Sequence, residues 1–114
     1  MTKAEFRRLA LALPGTVAGA HMGHRDFRVG RRIFATLGYP DGGWGMVKLT
    51  PERQEVLVAA EPTVFRPVPG GWGRTGSTNV NLATVDSATL RSALTMAWRN
   101  AAPKALLRSV PEPR

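Results

Sequence analysis

Apolar positions recur at helical spacing at the two ends of the chain and at strand spacing between them. Ala4, Phe6, Leu9, Ala10 and Leu13 share one helical face, and Thr2 with Glu5 forms a capping box at its start. Pro14 and Gly15 end that helix. Residues 16–24 (TVAGAHMGH) have no clean period and predict a loop. Phe27 and Val29 then alternate with Asp26 and Arg28. Gly30 and Arg31 make a two-residue turn, and Arg32–Leu37 returns as a second strand. A break at 38–43 (GYPDGG) leads to a third strand, Trp44–Leu49. Thr50 and Pro51 supply an N-cap and first residue for a short helix reaching about Ala60. Thr63–Val68 predicts a short extended piece, and Pro69–Gly76 a flexible glycine-rich loop. Ser77–Leu82 alternates, with Thr78, Val80 and Leu82 on one side and Ser77, Asn79 and Asn81 on the other. Asp86 caps a last helix carrying Leu90, Leu94, Ala97, Trp98 and Ala101, which Pro103 kinks or ends.

This order predicts an α+β domain: an antiparallel sheet of four to five strands with the N- and C-terminal helices packed on one face. The other face is expected to meet solvent, with Arg28, Asn79 and Asn81 pointing outward. Lys48 joins them and shares parity with Trp44 and Met46. Arg32 shares parity with Phe34 and Thr36, a mixed set that leaves its direction open. One domain spanning 1–108 is expected, with 109–114 a disordered tail.

Composition narrows the classes. Hydrophobic residues make up 43% of the 114 and charged residues 21%, the balance of a globular chain. No apolar run approaches the roughly 18 residues a bilayer span needs, so no membrane partner is expected. The first residues are amphipathic, unlike a secretory leader. The absence of cysteine excludes disulfides, thiolate nucleophiles and cysteine-ligated zinc, and points to the cytoplasm. Sixteen basic residues against eight acidic ones leave a net charge of +8, which attracts phosphate backbones or anionic membranes. Thirteen of the sixteen are Arg in a chain rich in Ala, Gly, Pro and Val, a skew that GC-rich coding also produces.

Several motifs dissolve on inspection. Gly71–Gly76 spells GxGxxG, but it precedes an alternating strand late in the chain instead of opening a helix after a first parallel strand, and it lacks a P-loop lysine. His21 and His24 would need a third ligand, with Asp26 nearest, so neither metal nor another cofactor is expected. Asp86 and Glu52 belong to helix starts, and no two carboxylates converge as acid and base, so no catalytic residues and no enzyme activity are expected. What remains is basic and aromatic. Arg25, Arg28, Arg31 and Arg32 surround one hairpin, opposed by Asp26, while Trp72 and Arg74 sit in the glycine-rich stretch. A hairpin can hold phosphates, and a loop tryptophan can stack on a base.

ALALPG at 10–15, FRVGRRIFA at 27–35, VKLTPE at 47–52, GGWGRTGST at 70–78 and AWxxAAPK at 97–104 together resemble the MmcQ/YjbR family of small bacterial proteins. The resemblance implies a CyaY-like (frataxin-like) fold and a "double-wing" DNA-binding role. Frataxin-type iron binding uses an acidic ridge on the first helix and strand. Here that region carries Lys3, Arg7, Arg8, Arg25 and Arg28 against Glu5 and Asp26, which repels hard cations. The expectation is thus a monomeric nucleic-acid binder, DNA first, of weak sequence preference. Arg25, Arg28, Arg31, Arg32, Lys48, Trp72 and Arg74 would form its contact surface. A second expectation is a small-molecule or protein-interaction domain, with the 16–24 loop and the glycine-rich loop framing a pocket over the sheet.

Overall fold

A computed structural model describes residues 1–110. Helix α1 spans Lys3–Leu11, with the Thr2 hydroxyl accepting from the Glu5 N–H. Six strands follow, interrupted by two helices: β1 Val17–His21, β2 His24–Val29, β3 Arg32–Leu37, β4 Trp44–Lys48, α2 Pro51–Ala60, β5 Phe65–Pro67, α3 Gly71–Arg74 and β6 Ser77–Asn81. Helix α4, Ser87–Ala101, and a single turn α5, Lys104–Leu107, complete the order. The strands form one antiparallel sheet in the order β1-β2-β3-β4-β6-β5.

The expected α+β class and antiparallel sheet are present, with one strand beyond the upper count. The extra strand is β1, inside the stretch expected to be a loop. Its hairpin with β2 turns at Met22 and Gly23, both at positive φ, the twist that two-residue hairpins favour. Gly30 and Arg31 do the same between β2 and β3. The glycine-rich stretch also departs from expectation, because residues 71–74 coil into α3.

The core lies between the sheet and the α1/α4 pair. Phe6, Leu9 and Ala10 of α1 and Leu90, Leu94, Ala97 and Trp98 of α4 meet Phe27, Val29, Val47 and Val80 of the strands. Gly45 lies beneath the Phe6 ring, where a Cβ would come within 2.7 Å of it. The Trp98 indole donates to the Pro14 carbonyl (2.9 Å), tying α4 to the end of α1. A register shift opposite Phe27 and Arg28 adds a residue to β3, so Phe34 and Ala35 are both buried in the core. This bulge explains the mixed parity of β3: Thr36 lies in register with Asp26 and Met46 on the helix-free face, while Arg32 pairs with core-facing Val29 and is exposed on the helix side.

The helix-free face is less open than expected. Asp26, Thr36, Met46 and Asn79 form a row across four neighbouring strands, and all four are buried. Asn79, expected to point into solvent, is only 1% exposed. Of the expected tail, residues 111–114 lie outside the described residues. Ser109 and Val110 are held, the first donating to the Leu106 carbonyl (2.7 Å) and the second accepting from Arg99 (2.6 Å).

Candidate functional site

Strand direction decides which basic residues can meet. The sheet has two ends. One carries the β1–β2 turn, the β3–β4 connection and the start of α1, where the Lys3 ammonium sits 3.5 Å from the Cβ position of Gly42. The other carries the β2–β3 turn, the end of β4, the start of β6 and α3 just before it. Arg25 begins β2 at the first end, and Arg31 follows its last residue at the second. Six residues of strand separate the two by about 20 Å.

Of the seven expected contact residues, Arg31, Arg32, Lys48, Trp72 and Arg74 lie at the second end, Arg32 on the helix side and Lys48 on the helix-free side. Arg31 tops its turn, whose Gly30 lies against the Pro103 ring and so brings exposed Lys104 to the same end. The Lys48 ammonium stands 5.5 Å from the centroid of the Trp72 ring, and Trp72 is 66% exposed on α3. Among the described residues no carboxylate pairs with Arg31, Arg32, Lys48 or Arg74.

Arg28 is different. Its guanidinium straddles Asp26, Nε donating to Oδ1 (2.7 Å) and Nη2 to Oδ2 (2.9 Å), and it also reaches the Ala20 carbonyl (3.4 Å). His21 Nδ1 lies 2.7 Å from Asp26 Oδ2. Gly19, directly across from Asp26, makes room: a Cβ there would stand 2.9 Å from Asp26 Oδ1 and 3.0 Å from Arg28 Nε. The Arg28 hydrogen bonds hold the Asp26 carboxyl below its ordinary value against the opposing effect of burial, and His21 adds to the lowering. Arg28 is thus neutralised within the protein and is not a free cation for a partner.

Sequence reasoning missed a second cation–aromatic pair. Arg66 on β5 lies over the Trp44 ring, 4.1 Å from its centroid, on the same face as Lys48 and Met46. The signal was the shared parity of Trp44 and Lys48. The partner strand β5, whose register sets Arg66 opposite Asn79, carries no periodicity of its own.

Two of the three GxGxxG glycines are structural. A Cβ on Gly73 would fall inside the Val68 carbonyl, and one on Gly76 inside the Leu49 carbonyl, with Gly76 also at φ +112. Gln54 of α2 donates to the Gly73 and Ser77 carbonyls (both 3.0 Å), fastening the segment. The pocket expected between residues 16–24 and this stretch does not form, because the β1–β2 turn and α3 stand at opposite ends of the sheet. A cleft of about 540 Å³ opens instead at the first end, between α1, the β1–β2 turn and the β3–β4 connection. Lys3, Arg7, His24 and Arg25 line it, so Arg25 belongs to this cleft and not with Arg31 and Arg32.

An antiparallel six-stranded sheet with α1 and α4 packed on one face makes this an α+β protein. The YjbR family profile matches residues 11–100, and the chain belongs to that family. The fold is similar to the crystal structure of the Deinococcus radiodurans protein DR2400, assigned to the domain family DUF419. The TM-score is 0.74 over 99% of this chain and 91% of that one, at 21% identity. No curated protein matches the chain.

Proposed function

We propose that the protein is a non-catalytic, cytoplasmic nucleic-acid binder that contacts the phosphate backbone with the second end of its sheet. The observation that carries this reading is the exposed Trp72 beside Lys48, with Arg31, Arg32 and Arg74 at the same end and, among the described residues, none of them paired with a carboxylate. Cations hold phosphates, and an exposed indole offers a face for an unpaired base or a wedge into a groove. Among the described residues no helix stands out as a recognition helix, and weak sequence preference is expected. Affinity falls in the non-specific range, on the order of 10⁻⁴ to 10⁻⁶ M near physiological salt.

Anisotropy of a labelled duplex and a labelled single strand, titrated with the monomeric chain across salt concentrations, tests this. The expected result is binding at low salt that weakens linearly on a log–log plot. The variant R31A/R32A/R74A should flatten that slope by about 3, one unit per lost phosphate contact. Absence of binding at low salt, or an isotherm indifferent to salt, refutes the reading.

A further inference from the structure

We propose that the cleft at the opposite end of the sheet binds an organic phosphomonoester of about mononucleotide size. The inference stands independently of nucleic-acid binding, because the cleft shares no residue with the Arg31–Trp72 end. Its volume, about 540 Å³, lies in the range of small-molecule sites. Three cations line it, Lys3 and Arg7 from α1 and Arg25 from β2, together with His24, and no carboxylate does.

Two further observations point to an anion. Among the described residues none of the three cations has a carboxylate partner, whereas the adjacent Arg8 is paired to Glu5. The closest acid in the β3–β4 connection, Asp41, accepts from the Gly43 N–H (2.9 Å) and is not part of the lining. Three like charges around one concavity repel one another, and a bound dianion relieves that repulsion. In addition, three glycines, Gly23, Gly38 and Gly42, border the charged heads with no side chain of their own to fill the cleft. The Cβ position of Gly42 is 3.5 Å from Lys3 Nζ, that of Gly38 is 3.7 Å from His24 Nδ1, and that of Gly23 faces open space. The glycines leave the backbone accessible to a ligand.

The remaining lining favours an organic phosphate over the free ion. Ala4 and Leu37 give apolar surface. His24 meets Tyr39 edge to face, with ring centroids 6.0 Å apart, and provides an aromatic wall. Cations can thus grip a terminal phosphate while the apolar part receives the group it is attached to.

Amide chemical shifts of the full chain, titrated separately with adenosine 5′-monophosphate, inorganic phosphate and adenosine at matched ionic strength, decide the matter. The expected result is saturable movement with the monophosphate at Lys3, Arg7, Gly23, His24, Arg25 and Gly38. Inorganic phosphate should bind there more weakly, and adenosine should leave the cleft unmoved. R7A/R25A should weaken the monophosphate about 100-fold, tenfold for each lost charged hydrogen bond. R31A/R32A should not change it. Both cleft arginines are exposed, and an unchanged amide spectrum outside the cleft verifies that the variant folds. Adenosine binding as well as its monophosphate, shifts confined to other surfaces, or full affinity in R7A/R25A each overturns the proposal. Since duplex binding is read at the other end, either proposal can fail while the other survives.

Discussion

Asp26 is buried on the helix-free face, and its charge is tolerable only because Arg28 clasps both its oxygens and His21 approaches one of them. A carboxyl whose pKa is lowered by folding contributes its full stabilisation above the unfolded-state value of about 3.8, and loses it as pH falls through the lower folded value. Asp26→Asn keeps the shape but removes the charge. It should cost about 1–3 kcal/mol at pH 7 and flatten the loss of stability below about pH 4, as urea midpoints at pH 7 and pH 3 would show. Part of that loss should persist in the variant, because Asp86 is also lowered, first by the Thr89 backbone N–H that it caps. The glycines of residues 71–76 permit a second comparison. Gly73→Ala and Gly76→Ala each drive a methyl into a backbone carbonyl that cannot step aside, whereas Gly71 has only the flexible Arg74 guanidinium nearby, 3.5 Å away. Thermal denaturation should show a loss of about 3 kcal/mol for the first two and little change for Gly71→Ala. A phosphate-cradling loop would show the reverse pattern, with stability intact and ligand affinity lost.

Among the elements, those whose ends carry capping chemistry were legible in the sequence nearly to the residue. Thr2, Thr50 and Asp86 each accept from the N–H three residues on, as their positions ahead of apolar periods imply. Strand β3 was equally legible, but its facing was not, because one inserted residue at the bulge decouples Phe34 from Thr36 and no local pattern marks a bulge. Strand β1 escaped for a different reason. It is an edge strand with no buried residue, so neither of its faces needs apolar side chains and VAGAH shows no period of two. Its order depends on β2 alone, on the Asp26–Arg28 pair over Gly19 and on the Met22–Gly23 turn. Helix α3 is likewise held from outside, by Gln54 and by backbone contacts that only glycine permits. For β1 the thinness of support has a measurable result. Its amides should exchange with solvent at least about tenfold faster than those of β3 and β4, which are paired on both sides beneath α4. Hydrogen-exchange mass spectrometry resolves these segments, and equal protection would show that β1 opens only with the whole domain.

At the scale of the whole molecule, the site was legible in residue type and not in grouping. Arg25 and Arg31, close in sequence, stand at opposite ends of β2, while Lys48 and Trp72, far apart in sequence, come together at the end that also carries Arg31. Two groups of cations thus stand apart on a body 34 Å in its longest extent, Lys3, Arg7 and Arg25 around the cleft and Lys48 and Arg74 around α3. The separation of about 20 Å along β2 exceeds the Debye length of about 8 Å at 0.15 M salt and falls short of the roughly 30 Å at 0.01 M. A duplex engaged at the α3 end should accordingly sense the cleft cations only when salt is low. The expected outcome is that R31A/R32A/R74A weakens duplex binding by at least about tenfold at 0.15 M salt, whereas K3A/R7A leaves it within about twofold there. At 0.01 M both variants should weaken it, because the unscreened field of the whole protein then acts on the polyanion. Anisotropy at the two salt concentrations separates the arrangements. If K3A/R7A weakens binding as much as R31A/R32A/R74A at 0.15 M, nucleic acid spans both ends, and the cleft then belongs to the same continuous surface.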